Sequence, residues 1–394
     1  MNSSQQHRPR WQPAVPGLVL IATVVVAAGL LVLNRGPSLS GQVGSAGPSS
    51  LQPTPEGTAQ PTAAEASPTG TSAAVVTTGI WYSEVAYQKW LVGRVGRPGV
   101  VPLGPGEIPI GGAADIVVSV QRTASETALT VVDLNTRRPV LQTTVPFNVG
   151  TAAVTADGRR VFITGNDCDG SIVTDAGVVE VDLGTGALTQ FVEPLDLLPE
   201  WRGEGRAAGR GLLVLSSTGA TLATTLCGGP PNAEGTCLVQ VVDLASGQVR
   251  GSFGPITSYL VAATDATLVT GSQRDGVVAF GPDGRERWTF EGGQVISTVV
   301  ATDEGFVLAY VAPGTITPTR LASVSADTGQ GVDLLVAEVD RPLELWPSAS
   351  DRQTVIFAEE PMEIALARGR PVSLRAIDIA TGQIKPAGSV SPEG

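Results

Sequence analysis

Residues 79–394 predict an all-β domain built of repeated four-stranded units. Three observations carry that prediction. A phrase of β-branched residues, a turn and a second apolar strand returns six times. Between its copies lie pairs of short apolar runs joined by turns. No amphipathic stretch is long enough to predict a helix.

The six copies are VVDLNTRRPVLQ around Asp133, VVEVDLGTGALTQ around Asp182, VQVVDLASGQVRGSF around Asp243, VVAFGPDGRERWTF around Ala279, LASVSADTGQGVDL around Ser325 and LRAIDIATGQIKPAG around Asp378. Their spacings are 49, 61, 36, 46 and 53 residues. Each copy reads as strand, turn, strand. Thr-Gly, Ser-Gly or Asp-Gly closes the hairpin, and Gly supplies a positive φ at little steric cost. An Asp ahead of the turn accepts turn N–H groups, as Asx turns do. Asp133, Asp182, Asp243 and Asp378 occupy equivalent places, and repetition favours this turn role over a catalytic pair, which is asymmetric. The other two strands of a unit show in GTAAVTADGRRVFITG (150–165) and again in YLVAATDATLVTGS and VISTVVATDEGFVLAYV.

Four-stranded units of this length, repeated about six times, predict a β-propeller, because one sheet cannot cover both of its faces and radial stacking does. Six blades are expected, with seven as the alternative. Residues 79–98 (GIWYSEVAYQKWLVGRVGRP) are either a strand that closes the ring on the last blade or part of a seventh blade. On the V-D-L-x-T-G phrases and the D-G-R-R-V-F-I-T segment, residues 113–390 resemble the broad group of WD-repeat, YVTN-type and pyrroloquinoline-quinone-type propeller repeats. The resemblance implies an architecture and says little of activity. The Gly-His and Trp-Asp dipeptides of WD repeats are absent. A quinone site would want an adjacent Cys pair, a Ca²⁺ site and a Trp floor, and none is evident in the sequence, so no cofactor is expected.

The N-terminus has a different character. Residues 14–35 centre on GLVLIATVVVAAGLLVL (17–33), which carries no charge and is long enough to span a bilayer as a helix. Arg8 and Arg10 precede it, placing residues 1–13 in the cytoplasm and the remainder outside. A cleaved signal peptide is the rival reading. Residues 36–78 are dominated by Pro, Ser, Thr, Gly and Ala, with Glu56 and Glu65 as their only charges, and predict a disordered linker.

Composition excludes several functions. The formal charge of −12 argues against nucleic acid as a partner. The one histidine, His7, lies in the N-terminal tail, so the predicted domain has no imidazole for a Ser-His-Asp or Cys-His site or for a metal.

Four features remain as candidates. Cys227 and Cys237 flank a Gly/Pro-rich hairpin loop and form a candidate disulfide in an oxidising compartment, with Cys168 as a rival partner for either. The segment PEWRGEGRAAGRG (199–211) places Trp201 with Arg202, Arg206 and Arg210 between units, a candidate contact for a partner or an anion. Asn166-Asp167-Cys168-Asp169-Gly170, with Asp175 beyond, matches part of a calcium loop, but the pattern is incomplete and a polar hairpin loop is expected instead. Trp81, Trp90, Trp288 and Trp346 stand at strand positions and read as packing residues.

These features favour a membrane-anchored, extracytoplasmic module that binds a protein or cell-envelope ligand without catalysis. The alternative is a propeller enzyme with a central-funnel site, either quinone-dependent or using carboxylates as a hydrolase or lyase does. A sensor or assembly factor of a membrane complex is a third reading.

Overall fold

The computed structural model describes residues 80–391 apart from the segments 87–88, 95–98, 123–125, 170–171, 196–206, 230–235, 257–258, 273–275, 291–298, 303–304, 312–319, 337–342, 348–352 and 361. The expected membrane helix (14–35) and linker (36–78) lie outside the described residues. Among those described, no helix is long and apolar enough to cross a membrane.

Strands β1 (Ile80–Ala86), β2 (Lys89–Arg94) and β3 (Val100–Pro102) form a three-stranded sheet. Six four-stranded blades follow, each an antiparallel meander in chain order. Blade 1 is β4 (Ile108–Ala113), β5 (Ile116–Arg122), β6 (Thr127–Asp133) and β7 (Arg138–Val145). Blade 2 is β8 (Asn148–Val154), β9 (Val161–Asp169), β10 (Ile172–Val181) and β11 (Leu188–Val192). Blade 3 is β12 (Ala207–Leu215), β13 (Thr221–Gly229), β14 (Thr236–Asp243) and β15 (Val249–Ile256). Blade 4 is β16 (Tyr259–Ala263), β17 (Leu268–Ser272), β18 (Gly276–Phe280) and β19 (Glu286–Phe290). Blade 5 is β20 (Val299–Ala301), β21 (Gly305–Tyr310), β22 (Arg320–Ser325) and β23 (Gly331–Val336). Blade 6 is β24 (Glu344–Pro347), β25 (Thr354–Ala358), β26 (Val372–Asp378) and β27 (Ile384–Val390), with a short helix α1 (Met362–Ala367) between β25 and β26.

The six repeated phrases are the outer hairpins of the six blades, β6–β7 through β26–β27. The described residues of 79–98 do not add a strand to blade 6. They help to build the three-stranded sheet, which occupies the sector between blades 6 and 1. The core shows this directly. Leu91 and Val100 pack with Leu374, Ala376 and Val390 of blade 6. Val92 and Val101 pack with Val117 and Val132 of blade 1. The ring therefore closes on apolar contacts rather than on a shared sheet.

Side-chain alternation explains how each sheet covers two neighbours. Successive residues of a strand point to opposite faces. In β5, Ile116, Val118 and Val120 join the core shared with blade 2, whereas Val117 between them joins the core shared with the three-stranded sheet. In β21, Phe306 and Leu308 face blade 4, and Val307 and Ala309 face blade 6. Both faces are apolar, so the strands read as continuous Val-, Ile- and Leu-rich runs.

A four-stranded meander has two ends. The turns between its first and second strands and between its third and fourth strands lie at one end, here the turn face. The turn between the second and third strands, and the connection to the next blade, lie at the other, here the loop face. On the turn face, the Asp residues of the repeated phrase do what the sequence predicts. Asp182 Oδ1 accepts from Gly184 N at 2.9 Å and Thr185 N at 2.7 Å. Asp243 accepts from Ser246 N at 2.9 Å, and Asp378 from Thr381 N at 2.8 Å. The turn glycines Gly186, Gly247, Gly284, Gly329 and Gly382 have φ of 74°, 71°, 78°, 69° and 67°, where a Cβ is disfavoured.

The same face ties blades together. Arg160, in the β8–β9 turn, holds Glu180 of its own blade through Nε at 2.7 Å and Nη2 at 3.0 Å. Its Nη1 donates to the carbonyl of Leu244 in blade 3 at 2.9 Å, and its guanidinium lies over the rings of Phe162 and Phe191. Between blades 3 and 4, Ser216 Oγ and Thr218 Oγ1 donate to Asp265 at 2.6 and 2.7 Å.

Candidate functional site

Among the described residues, the Cys227–Cys237 pair, the backbone of 166–169 and the backbone of Arg210 lie towards the loop face of blades 2 and 3. Both blades extend there. Strands β9 and β10 run to 9 and 10 residues, and β12 and β13 to 9 each, whereas β16, β17 and β18 of the next blade have 5 each. These strands of blades 2 and 3 therefore run longer than those of blade 4.

The β13–β14 hairpin carries a disulfide between Cys227 and Cys237. The two residues are direct cross-strand partners, with Leu226 opposite Leu238 and Gly228 opposite Thr236 on either side. Cys227–Cys237 pairing removes both sulfurs from reach of Cys168. The backbone of Cys168 lies in β9, opposite Val173.

The calcium-like segment is likewise a hairpin. Asn166 pairs with Asp175, Asp167 with Thr174 and Asp169 with Ile172. A cation loop curls its backbone around the ion, whereas these residues are extended and paired. Asp175 is 6% exposed and has a structural task. Its Oδ1 accepts from Gly177 N at 3.0 Å, fixing the bulge where β9 and β10 shift register. Its Oδ2 accepts from Leu195 N at 2.7 Å, anchoring the start of the connection to blade 3.

That connection holds Trp201, Arg202 and Arg206, which lie outside the described residues. Its described ends, Leu195 and Ala207, both sit on the loop face. The expected loop 199–211 is shorter than its sequence implies. Residues 207–211 belong to β12, and the backbone of Arg210 pairs with Leu226. The stretch AAGRG has no β-branched residue to mark it as a strand, so pairing with β13 decides its conformation. Arg210 is thereby placed on the innermost strand of blade 3.

Of the tryptophans, Trp288 is 7% exposed in the core shared by blades 4 and 5, with Nε1 donating to the carbonyl of Ala326 at 2.8 Å. Trp90 is half-buried beside Tyr82, ring centroids 6.3 Å apart. The side chains of Trp81 and Trp346 lie outside the described residues.

Charge chemistry across the described residues is that of clamps. The Thr185 and Thr381 hydroxyls hold Asp182 and Asp378 below the usual carboxylate range, and the Thr155 hydroxyl does so for Asp157. Asp243 is lowered to about 2, chiefly by the Ser246 N–H and hydroxyl and then by Arg250. Burial pushes Asp265 up, but the hydroxyls of Ser216 and Thr218 outweigh it. Burial and a 2.5 Å hydrogen bond to Asp333 push the Tyr310 phenol up, and Arg320 holds the same carboxylate at 3.0 Å. A general acid needs a raised carboxyl pKa and a phenolate base a lowered phenol pKa. Each of these shifts runs the other way. Among the described residues, no group of three or more His, Cys, Asp or Glu is placed to hold a metal ion.

The consecutive four-stranded meanders, their shared interfaces and the ring they close define a β-propeller of the repeat type that the V-D-L-x-T-G phrases resemble. No family model and no curated protein sequence matches the chain. Similar solved structures include the tricorn protease, at 12% identity and a TM-score of 0.45 over 77% of this chain and 33% of that one. The chain thus spans a third of that protein. The β-propeller domain of the Trilobed protease from Pyrococcus furiosus is 16% identical, with a TM-score of 0.44 over 71% of this chain and 81% of that one. An oligogalacturonate lyase from Vibrio parahaemolyticus is 13% identical, with a TM-score of 0.43 over 79% of this chain and 85% of that one.

Proposed function

We propose that this propeller is a binding module rather than an enzyme, held outside the cytoplasm by residues 14–35 on the linker 36–78, and that it presents the loop face of blades 2 and 3 to a protein or cell-envelope ligand. The observation that carries the reading is the local departure from the repeat. Extended strands, a disulfide-closed hairpin and the longest interval between phrases fall in two adjacent blades at one face. Rigid scaffolds place their binding residues on such loops. The disulfide supports an oxidising compartment, and the directions of the shifted carboxyl and phenol groups give no support to acid–base catalysis.

The test compares immobilised full-length chain with a variant in which Trp201, Arg202, Arg206 and Arg210 are all Ala, using solubilised envelope material. Capture of a defined partner is expected with the first and not the second. An Arg285→Ala change on the turn face should leave capture intact. Incubation with pyrroloquinoline quinone and Ca²⁺ addresses the enzyme alternative. A bound chromophore or a clear rise in melting temperature would displace the binding reading.

A further inference from the structure

A second site lies on the opposite, turn face, where the three-stranded sheet meets blade 1. A cavity of about 260 Å³ is lined there by Gly93, Arg94, Gly99, Val101, Leu134, Asn135 and Arg137. It is smaller than pockets that take drug-sized ligands, so its natural occupant is small.

Two departures from the repeat build this cavity. The first is Arg137. It stands in the blade 1 turn where blades 2 to 6 have glycine, and it takes the left-handed conformation with φ of 56°. A side chain in that region is strained, and nothing in the turn itself calls for one, since five sister turns use glycine. The second is Gly99, with φ of 107°. The Arg137 guanidinium lies against it so closely that a Cβ on Gly99 would sit 1.9 Å from Nη2. In blades 3, 4 and 5 the arrangement is reversed. Gly247, Gly284 and Gly329 are covered by Phe191, Phe253 and Trp288 of the preceding blade. At this one interface the turn residue reaches back instead, and what it delivers is a positive charge.

The charge balance of the cavity follows. Arg94 is 6% exposed; it pairs with Asp115 and donates to Asn135 Oδ1 at 3.3 Å. Asp115 is thus matched by Arg94. No hydrogen bond or ion pair links Arg137 to another described residue. Among the described residues that line the cavity, the charged side chains are Arg94, matched by Asp115, and Arg137. A guanidinium presents two donors on one edge, which suits a planar or tetrahedral oxyanion.

We propose that this cavity binds a small carboxylate- or phosphate-bearing molecule, with Arg137 as its charged contact and Arg94 and Asn135 forming the polar wall beside it. The site is independent of the loop face and of the function assigned to it.

The test uses the full-length chain in detergent at constant ionic strength, titrated with inorganic phosphate in one arm and citrate in another, and read by calorimetry and melting temperature. Saturable binding is expected in at least one arm, and the arm that saturates at lower concentration identifies the source of the oxyanion. Arg137→Gly restores the glycine of the sister turns. It should leave melting temperature unchanged or raise it in the absence of anion, while weakening binding about tenfold or more. Arg285→Gln, which alters an exposed guanidinium on the same face, should leave binding unchanged. No saturable binding in either arm would overturn the proposal. So would undiminished binding by Arg137→Gly, or an equal loss in Arg285→Gln, which marks a nonspecific salt effect.

Discussion

Gly329, in the outer turn of blade 5, lies beneath the ring of Trp288 in blade 4, so close that a Cβ would stand 2.7 Å from the ring atoms Cγ and Cδ2. The contact joins local and tertiary requirements at one residue. The turn needs positive φ, and the interface needs an absent side chain. Gly247 under Phe191 and Gly284 under Phe253 repeat the device, so the turn glycines both shape hairpins and lock sectors.

A pair of substitutions separates the two roles. Gly329→Ala meets both the left-handed backbone penalty and the overlap with Trp288. Gly382→Ala meets only the first, because nothing lies within 4 Å of its Cβ position. Denaturant unfolding should show a loss of about 1–2 kcal/mol for Gly382→Ala and roughly 3 kcal/mol for Gly329→Ala. Equal losses would mean that Trp288 does not press on the turn.

Arg160 joins blade 2 to blade 3 through the Leu244 carbonyl while holding Glu180 with two nitrogens. A lysine keeps the charge but not the fork. Arg160→Lys should destabilise the protein by about 1–2 kcal/mol, allowing for partial exposure of the pair. Glu180→Gln should do the same, and the double variant should lose less than the two effects added together, as a coupled pair requires.

The Cys227–Cys237 disulfide closes a short loop, the two residues being 10 apart in sequence. In the chain-entropy account such a link contributes about 2–3 kcal/mol. Replacing both cysteines by serine should speed proteolytic cleavage within 228–236 in the native protein. Cleavage elsewhere should keep its rate, because the link restricts chiefly the loop that it closes.

Acid should weaken the turn face. The folded pKa values of Asp157, Asp182, Asp243 and Asp378 lie below those of the unfolded chain. Groups of that kind contribute stability above their unfolded pKa, about 4, and lose it as pH falls through the folded value. For Asp243 that value is about 2. Melting temperature should therefore be steady above pH 5 and fall between pH 4 and pH 2. Asp243→Asn should flatten part of that slope. An unchanged slope would show that the Ser246 and Arg250 contacts do not persist in solution.

The architecture was legible because its signal is repeated. Each of the six phrases forms the third and fourth strands of a blade, and Asp182, Asp243 and Asp378 accept the turn N–H groups that their position implies. The three-stranded sheet was harder to read, since the hairpin β2–β3 lacks both the Asp and the Thr-Gly turn. Helix α1 has only 6 residues, too few for a helical period to stand out. Residues 207–211 read as a loop because Ala and Gly carry no strand preference of their own, while their pairing with β13 depends on residues some twenty positions away. Of the loop-face candidates, the Cys227–Cys237 hairpin and the backbone position of Arg210 could be placed. The turn-face cavity had a sequence signal: NTRRP lacks the glycine of its sister turns, and Arg137 stands in its place.

The closed ring is tested most directly by methyl nuclear Overhauser contacts between the three-stranded sheet and blade 6. Cross-peaks from the methyls of Leu91 and Val100 to those of Leu374, Ala376 and Val390 are predicted, since these residues share one core. If Leu91 and Val100 gave contacts only within residues 80–102 and to blade 1, the sheet would not bridge the first blade to the last, and the ring described here would be open.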